Sequence, residues 1–353
     1  MGTRVRHDPA SGDLAGNAVA RASSVVAAIC RRLLRVPTVF IFVGSLALAL
    51  LLLWRQGSLG SLGETARNAE PLVIGAAFVL SLLSVVLLCM RWQALVQMAG
   101  GRYDPTRAAE ALLTSVVVNY AAPKGLAVPT RAILSARDLG LTPTASGAVA
   151  LWDVALDFVA LGAMSVIWFA LSDRGLLQRL ERPNYGVSAV AAGLIALVAA
   201  IVVTVARHRP DLRARAQAAV REMVSYPGRR PMAALTAVAL TAAYWGSQAI
   251  VFRLMLDAVG LGAEATWVAV LGFLGLPVLI GMFSPTPGGT GVREALMVVV
   301  AQAAGMPGAP VLLAAVAYRV ALLVAVPVLY LPVRLWRRWR EGSVLVRSST
   351  GHD

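Results

Sequence analysis

The sequence predicts an all-α polytopic membrane protein with about six full transmembrane helices and two broken, re-entrant helical hairpins that enter from opposite faces. Composition is the first observation: of 353 residues, 58% are hydrophobic and 14% are charged, whereas soluble domains are about half apolar and a quarter charged. Apolar runs recur along the whole chain, which favours one bundle. The net charge of +14 is typical of basic loops that face the cytoplasm and anionic lipid, so we expect no nucleic-acid partner.

Six apolar runs are long enough for a membrane-spanning helix, which needs roughly 20 residues. They are residues 37–54, 71–90, 146–171, 186–206, 232–256 and 310–332. We expect residues 33–336 to form the transmembrane domain, between a disordered cytoplasmic tail (1–32) and a basic cytoplasmic tail (337–353). Tryptophans near the ends of the runs are interpreted as an interfacial belt: Trp152, Trp168, Trp245 and Trp267.

Basic residues predict the orientation of the bundle. They precede the first run, follow the second (Arg91, Arg102 and Arg107), fill the loop 207–230 and follow the last run. All of them share one side if both broken segments return to the side that they left. By the positive-inside rule both termini are then cytoplasmic, and we expect a multi-pass protein of the plasma (inner) membrane. The second broken segment could instead cross twice without changing this orientation.

The first broken segment, about residues 108–135, is apolar on both sides of the interruption Asn-Tyr-Ala-Ala-Pro-Lys-Gly at 119–125. Pro123 and Pro129 disfavour helix just before them, and neither half is long enough to span. We therefore predict a helix–break–helix hairpin from the cytoplasm, with Asn119, Lys124 and Arg131 as candidate binding residues. The alternative is an amphipathic surface helix followed by a loop.

The second broken segment, about residues 267–304, is interrupted by two prolines and then by Gly288, Gly289 and Gly291. The helix that follows is too short to cross. Its free N–H groups at the start suit an anion, although Glu294 is an alternative partner for them or for Arg293. The remaining alternative is a purely structural kink.

Two broken helices from opposite faces predict a substrate site near the midplane of the membrane. Charges within or beside apolar segments are costly and tend to be functional; here they are Lys124, Arg131, Asp153, Asp157, Arg253, Arg293, Glu294 and Arg319. Asp153 and Asp157 share one helix face and are expected to neutralise Lys124 or Arg131 when no ligand is bound. The alternative is that such ion pairs only hold the bundle together. Arg253, near the outer end of its run, is expected to extend its guanidinium to the interface.

Several short motifs, in this order and spacing, make the chain resemble the transmembrane, flippase-like domain of lysylphosphatidylglycerol synthases and its stand-alone relatives. The resemblance covers about residues 33–336. It is carried by Arg-Trp-Gln at 91–93 with Gly100, the stretch 119–125, Pro-Thr-Arg at 129–131, Gly140, Trp152 and Asp153 with Asp157, the stretch 285–294, and Ala-Tyr-Arg at 317–319.

The resemblance implies movement of a lipid between leaflets, either an anionic phospholipid or a (poly)prenyl-phosphate-linked glycolipid. Lys124 and Arg131 would hold its phosphate from the cytoplasmic side, and Arg293, Arg319 and the backbone of 288–291 from the other. The candidate substrate-binding set is Asn119, Lys124, Arg131, Asp153, Asp157, Gly288, Gly289, Gly291, Arg293, Glu294 and Arg319.

We expect a transporter and not an enzyme, with no cofactor. Only a short tail follows Trp339, so the soluble synthase domain of the two-domain relatives is not expected here. The sequence shows no nucleotide-binding motif, so transport is expected to run downhill or on an ion gradient. Three alternatives stay open. They are an accessory subunit that presents lipid to a separately encoded glycosyltransferase or aminoacyl-lipid synthase, a membrane transferase with Asp153 or Asp157 as base, and a transporter of a small soluble anion.

Overall fold

The structure, a computed structural model, describes residues 70–121, 127–172, 210–283, 289 and 291–349. Its regular secondary structure over these ranges is helical, as predicted. The nine helices are α1 (Pro71–Met98), α2 (Pro105–Ala121), α3 (Ala127–Leu139), α4 (Pro143–Leu171), α5 (Pro210–Arg229), α6 (Pro231–Ala258), α7 (Trp267–Phe283), α8 (Val292–Ala303) and α9 (Gly308–Ser349).

Four of the described helices are long and apolar enough to cross a membrane: Pro71–Met98, Pro143–Leu171, Pro231–Ala258 and Gly308–Arg340. They correspond to four of the predicted spans, so the protein is a multi-pass membrane protein. The predicted spans 37–54 and 186–206, and the tail 1–32, lie outside the described residues. Three of the four, α1, α4 and α6, begin on a proline at their first position, where the missing N–H costs no hydrogen bond.

Each broken segment contains two separate described helices. Helices α2 and α3, of 17 and 13 residues, precede and follow residues 122–126, which lie outside the described residues. Helices α7 and α8, of 17 and 12 residues, flank the proline- and glycine-rich stretch 284–291. The two helices of each pair pack against each other, and each is shorter than the roughly 20 residues that a span requires. Insertion of the pairs into the bilayer remains a prediction.

The ends of the bundle follow from contacts between α1 and α6, which run antiparallel. At one end, the N–H of Glu70 donates to the carbonyl of Ala258 over 3.2 Å. At the other, which we call the basic end, the Arg230 guanidinium donates to the carbonyl of Gln97 over 2.8 Å.

The α2–α3 pair has both outer ends at the basic end, where the N–H of Arg102 donates to the carbonyl of Leu139 over 3.0 Å. The far part of α9 reaches the same end, because Arg337 forms an ion pair with Glu110 of α2. The α7–α8 pair is connected to the opposite end, since α7 follows the end of α6 and α8 precedes the start of α9. The outer ends of the two pairs thus lie at opposite ends of the bundle, and the described basic segments around Arg102, Arg230 and Arg337 meet at the basic end.

Two of the tryptophans predicted to form a belt are instead buried. Trp168 is 2% exposed, and its indole fills the space beside Gly272 of α7, where an added Cβ would lie 2.6 Å from Nε1. Trp245 is 6% exposed and faces the polar site described below. Trp267, at the start of α7, is 56% exposed. The belt prediction was therefore wrong for Trp168 and Trp245, because small residues on neighbouring helices leave room for large rings inside the bundle.

Candidate functional site

Arg91 of α1 is completely buried and holds two carboxylates of α4. Its Nη2 donates to Oδ1 of Asp153 over 2.6 Å, and its Nη1 donates to Oδ1 of Asp157 over 2.6 Å. The two aspartates stand one helical turn apart, so both face the same neighbour. A planar guanidinium presents its donors as a fork, and this fork spans the two carboxylates.

Arg131 of α3 completes the site. Its Nη1 forms a close ion pair with Oδ2 of Asp153, and its Nε donates to the Ser115 hydroxyl of α2 over 2.9 Å. The guanidinium also lies 5.0 Å from the centroid of the Trp92 ring, in cation–π geometry. Asp153 therefore bridges two arginines, one from a long helix and one from the broken α2–α3 pair. We call Arg91, Arg131, Asp153 and Asp157 the Arg91 cluster.

Helix α6 contributes two aromatic side chains to this cluster. The indole N–H of Trp245 donates to Oδ1 of Asp157 over 3.0 Å. The Tyr244 ring lies beside Arg91, with its centroid 5.5 Å from the guanidinium carbon. Because the Arg91 side chain is fully buried, its charge interacts in a medium of lower dielectric constant than bulk water.

Two buried donors at the cluster have no hydrogen-bond partner within the described ranges: Nε of Arg91 and Nε1 of Trp92. Buried polar groups are almost always paired, with protein or with water. Both groups are N–H donors, which match the oxygen atoms of a phosphate or of ordered water.

The cluster confirms one sequence prediction and reveals a residue that was missed. Asp153 neutralises Arg131, as expected, while Lys124 lies outside the described residues. Arg91 was assigned to the basic cytoplasmic loops, because its charge ended the apolar run at residue 90. Helix α1 instead continues to Met98, with Trp92 and Leu95 fully buried beside Arg91. The apolar residues that resume after Arg91 were the available signal.

A second polar group, the Glu294 cluster, forms where α8 meets α9. Glu294 accepts a hydrogen bond from the N–H of Gly291 over 2.7 Å, and its other carboxylate oxygen pairs closely with Arg319. Gly289 and Gly291 have φ of +73° and +84°, a region that favours glycine. The N–H of Gly291, predicted to suit an anion, is thus bonded to the chain's own carboxylate. The expected alternative of a Glu294–Arg293 pair was wrong, because Glu294 points to α9.

Arg293 packs differently from Arg319. Its side chain crosses Gly281 of α7 so closely that a Cβ on Gly281 would collide with its Cγ. Among the described residues, Nε of Arg293 is buried without a hydrogen-bond partner, and no carboxylate lies within ion-pair distance of the side chain.

Helix α6 contacts both polar groups. Trp245 binds Asp157 of the Arg91 cluster. One turn further, the Gln248 side chain accepts a hydrogen bond from the hydroxyl of Tyr318 over 2.6 Å, and Tyr318 directly precedes Arg319 of the Glu294 cluster. Gln248 is fully buried, and its amide nitrogen is another unpaired donor in the described part of the chain.

The remaining predicted residues are not part of either cluster as the structure describes it. Asn119 belongs to α2, and Gly288, like Lys124, lies outside the described residues. Arg253 pairs closely with Asp257 and donates to the carbonyl of Gly262. It therefore holds the end of α6 together, and neither cluster includes it.

Comparison with known proteins assigns the chain to a family. The family model described as "Lysylphosphatidylglycerol synthase TM region" matches residues 39–330, well over half of the chain. A search of curated proteins found no significant match, and neither did a search of solved structures. The matched range includes both broken helix pairs, the Arg91 cluster and the Glu294 cluster. The chain belongs to the family of lysylphosphatidylglycerol synthase transmembrane regions.

Proposed function

We propose that this membrane protein is a flippase-like transporter, and not an enzyme, that moves an anionic phospholipid or a (poly)prenyl-phosphate-linked glycolipid between the leaflets of the plasma membrane. The observation that carries the proposal is the Arg91 cluster. It places two arginines and two aspartates between helices that are otherwise apolar. Ionisable groups at such positions are costly to bury and commonly mark the path of a charged substrate.

The two arginines have different roles in this proposal. Arg91 is 0% exposed and is held by two carboxylates, so it ties α1 to α4. The Arg131 side chain is 14% exposed and is carried by the broken α2–α3 pair. A lipid phosphate competes with Asp153 for Arg131, because guanidinium binds phosphate and carboxylate in the same bidentate manner. Arg131 is thus the exchangeable cation and Arg91 the fixed one.

The second broken pair supplies the opposite face of the pathway. Arg293 faces the ligand from α8, and Arg319 becomes available when Glu294 is released. Discontinuous helices that enter from opposite ends are typical of transporters with a central site. Both termini are cytoplasmic in this arrangement, so α2 and α3 receive a phosphate from the inner leaflet. The acyl or prenyl chains remain in the bilayer.

The test is lipid movement by the purified protein. We expect vesicles that contain the protein and fluorescent phosphatidylglycerol to expose the probe to an external quencher faster than empty vesicles. A Lys124→Ala/Arg131→Ala variant should lose this activity while remaining folded. Arg137→Ala is the matched control, since Arg137 also lies on α3 but its side chain is 79% exposed. Equal rates in the double variant and the wild type would reject the site.

Native mass spectrometry of the wild type and the double variant is the first experiment. A specific anionic or polyprenyl lipid that the variant loses identifies the substrate for the vesicle assay. If the protein moves no lipid by itself and co-purifies with a separate lipid-modifying enzyme, the accessory-subunit alternative replaces the transporter.

A further inference from the structure

The described charges of the Arg91 cluster cancel. Two guanidinium groups face two carboxylates, and each carboxylate contacts at least one guanidinium. A lipid phosphodiester that binds Arg131 in place of Asp153 leaves two carboxylates on a single guanidinium, that of Arg91, and so an excess negative charge in this buried site. An uncompensated charge between apolar helices is strongly unfavourable. The charge can be balanced without moving the helices if one aspartate takes up a proton.

From this balance, and resting on the proposed function, we infer that the protein carries a monoanionic lipid phosphate together with one proton, which binds the Asp153–Asp157 pair. In the empty state both aspartates are ionised and paired. When the phosphate displaces Asp153 from Arg131, one proton joins the two carboxylates and the cluster stays neutral. On release, the phosphate leaves, the proton dissociates from the pair, and Arg131 returns to Asp153.

The surroundings of the pair leave few other groups to take this proton. Helix α1 presents Arg91, α3 presents Arg131, and α6 presents Tyr244 beside Trp245. Helix α7, which also packs against α4, contains no titratable residue. Helix α5 contacts α4 through Trp152 and carries the titratable residues Arg221, Glu222, Tyr226 and Arg229 in its described part; the Tyr226 hydroxyl donates to Glu222. Cys89 of α1 lies near Arg131 but is a thiol, which keeps its own proton in the pH range where a carboxylate titrates and so cannot take up another.

The two aspartates differ in what a proton would displace. Asp153 accepts from two arginines, through Oδ1 and Oδ2. Asp157 accepts from Arg91 and Trp245, and its side chain is 20% exposed against 6% for Asp153. Because the two carboxylates share Arg91, their titration belongs to the pair. Asparagine at either position imitates the protonated state.

The experiment measures protons and lipid in the same vesicles. Phosphatidylcholine vesicles hold the protein, fluorescent phosphatidylglycerol as a monoanionic probe, and a pH-sensitive dye in the lumen. We expect lumenal pH to change with lipid movement at about one proton per probe molecule. The rate of probe movement should rise several-fold when the proton gradient points along the direction of movement. An imposed membrane potential should not change this rate, since lipid and proton together carry no charge. Probe movement that is independent of the pH gradient overturns the inference and leaves the proposed function standing; a wild type that moves no probe overturns both.

Single-residue variants test whether the proton binds the Asp153–Asp157 pair. Asp157→Asn should carry fewer protons per probe molecule than the wild type, and its probe movement, at whatever rate remains, should lose its dependence on the pH gradient. Asp153→Asn serves the same purpose if the first variant does not fold. Asp257→Asn is the control, because Asp257 pairs with Arg253 outside the cluster, and its proton movement should equal that of the wild type. Proton movement per probe molecule that stays at the wild-type value in both cluster variants contradicts the assignment of the pair.

Discussion

Arg91 and Asp157 join α1 to α4 through a 2.6 Å ion pair, although 66 residues separate them in the chain. The same guanidinium also holds Asp153, so one buried side chain fixes the relative register of two membrane-spanning helices. This dual contact explains why a full positive charge is stable where an apolar residue would otherwise be expected.

Replacing Arg91 should lower the stability of the protein more than replacing any other arginine in the described residues. In Arg91→Met both aspartates remain buried with fewer cations, and such broken buried pairs cost about 3–5 kcal/mol. The measurement is thermal unfolding of the purified protein in mild detergent. Arg253→Met is the control, since its partly exposed pair with Asp257 should contribute about 1 kcal/mol or less. Similar melting temperatures for the two variants would contradict the structural role of Arg91.

Glu294 and Arg319 should be energetically coupled. Glu294→Gln removes the negative charge and leaves one side-chain oxygen, so if that oxygen still caps the N–H of Gly291, Arg319 loses its acceptor. We expect a double-mutant cycle with Arg319→Met to give a coupling energy of about 0.5–3 kcal/mol. The cycle is measured by denaturant or thermal unfolding. A coupling energy near zero would show that the two side chains do not depend on each other.

Two glycine substitutions should have opposite effects. In Gly281→Ala the new methyl group collides with Arg293, and such overpacking costs roughly 1–3 kcal/mol. Gly246 of α6 has open space around it, so Gly246→Ala should stabilise the helix by roughly 0.5–1 kcal/mol. Unfolding of both variants under identical conditions checks the pair. If Gly281→Ala also stabilises, the close packing of α7 against α8 is not as described.

The indole N–H of Trp245 should matter for transport more than its ring does. Trp245→Phe keeps an aromatic ring but removes the donor to Asp157, and hydrogen bonds to charged groups contribute about 1.5–3 kcal/mol. We expect slower lipid movement in vesicles and a lower melting temperature. The control Trp267→Phe alters an exposed ring and should resemble the wild type. Unchanged transport in both variants would exclude Trp245 from the machinery.

Much of the helical organisation was predictable because its signals are local. Long apolar runs predicted α1, α4, α6 and the apolar part of α9. Proline and glycine predicted the breaks between α2 and α3 and between α7 and α8, since these residues act on their own segment of backbone. The end of α1 was misplaced, because a charge that looks unfavourable in the sequence is neutralised by carboxylates from a distant helix.

The site was only partly predictable for the same reason. The sequence placed Asp153 and Asp157 on one helix face and made Lys124 or Arg131 their expected partner. It contained no signal that Arg91 would bind both, or that Glu294 would choose Arg319 over its neighbour Arg293. Which side chains meet depends on how the helices rotate and slide against one another, and small residues such as Gly281 decide how closely they approach.

The sequence by itself determined that the chain spans a membrane, where its helices break and which loops are basic, because hydrophobicity and backbone conformation act over a few turns of chain. The tertiary structure decided that the outer ends of the two broken pairs lie at opposite ends of the bundle and that Arg91 binds both Asp153 and Asp157. Those facts depend on contacts across 62 and 66 residues, and the energy of a buried charge is settled only when its partners are in place.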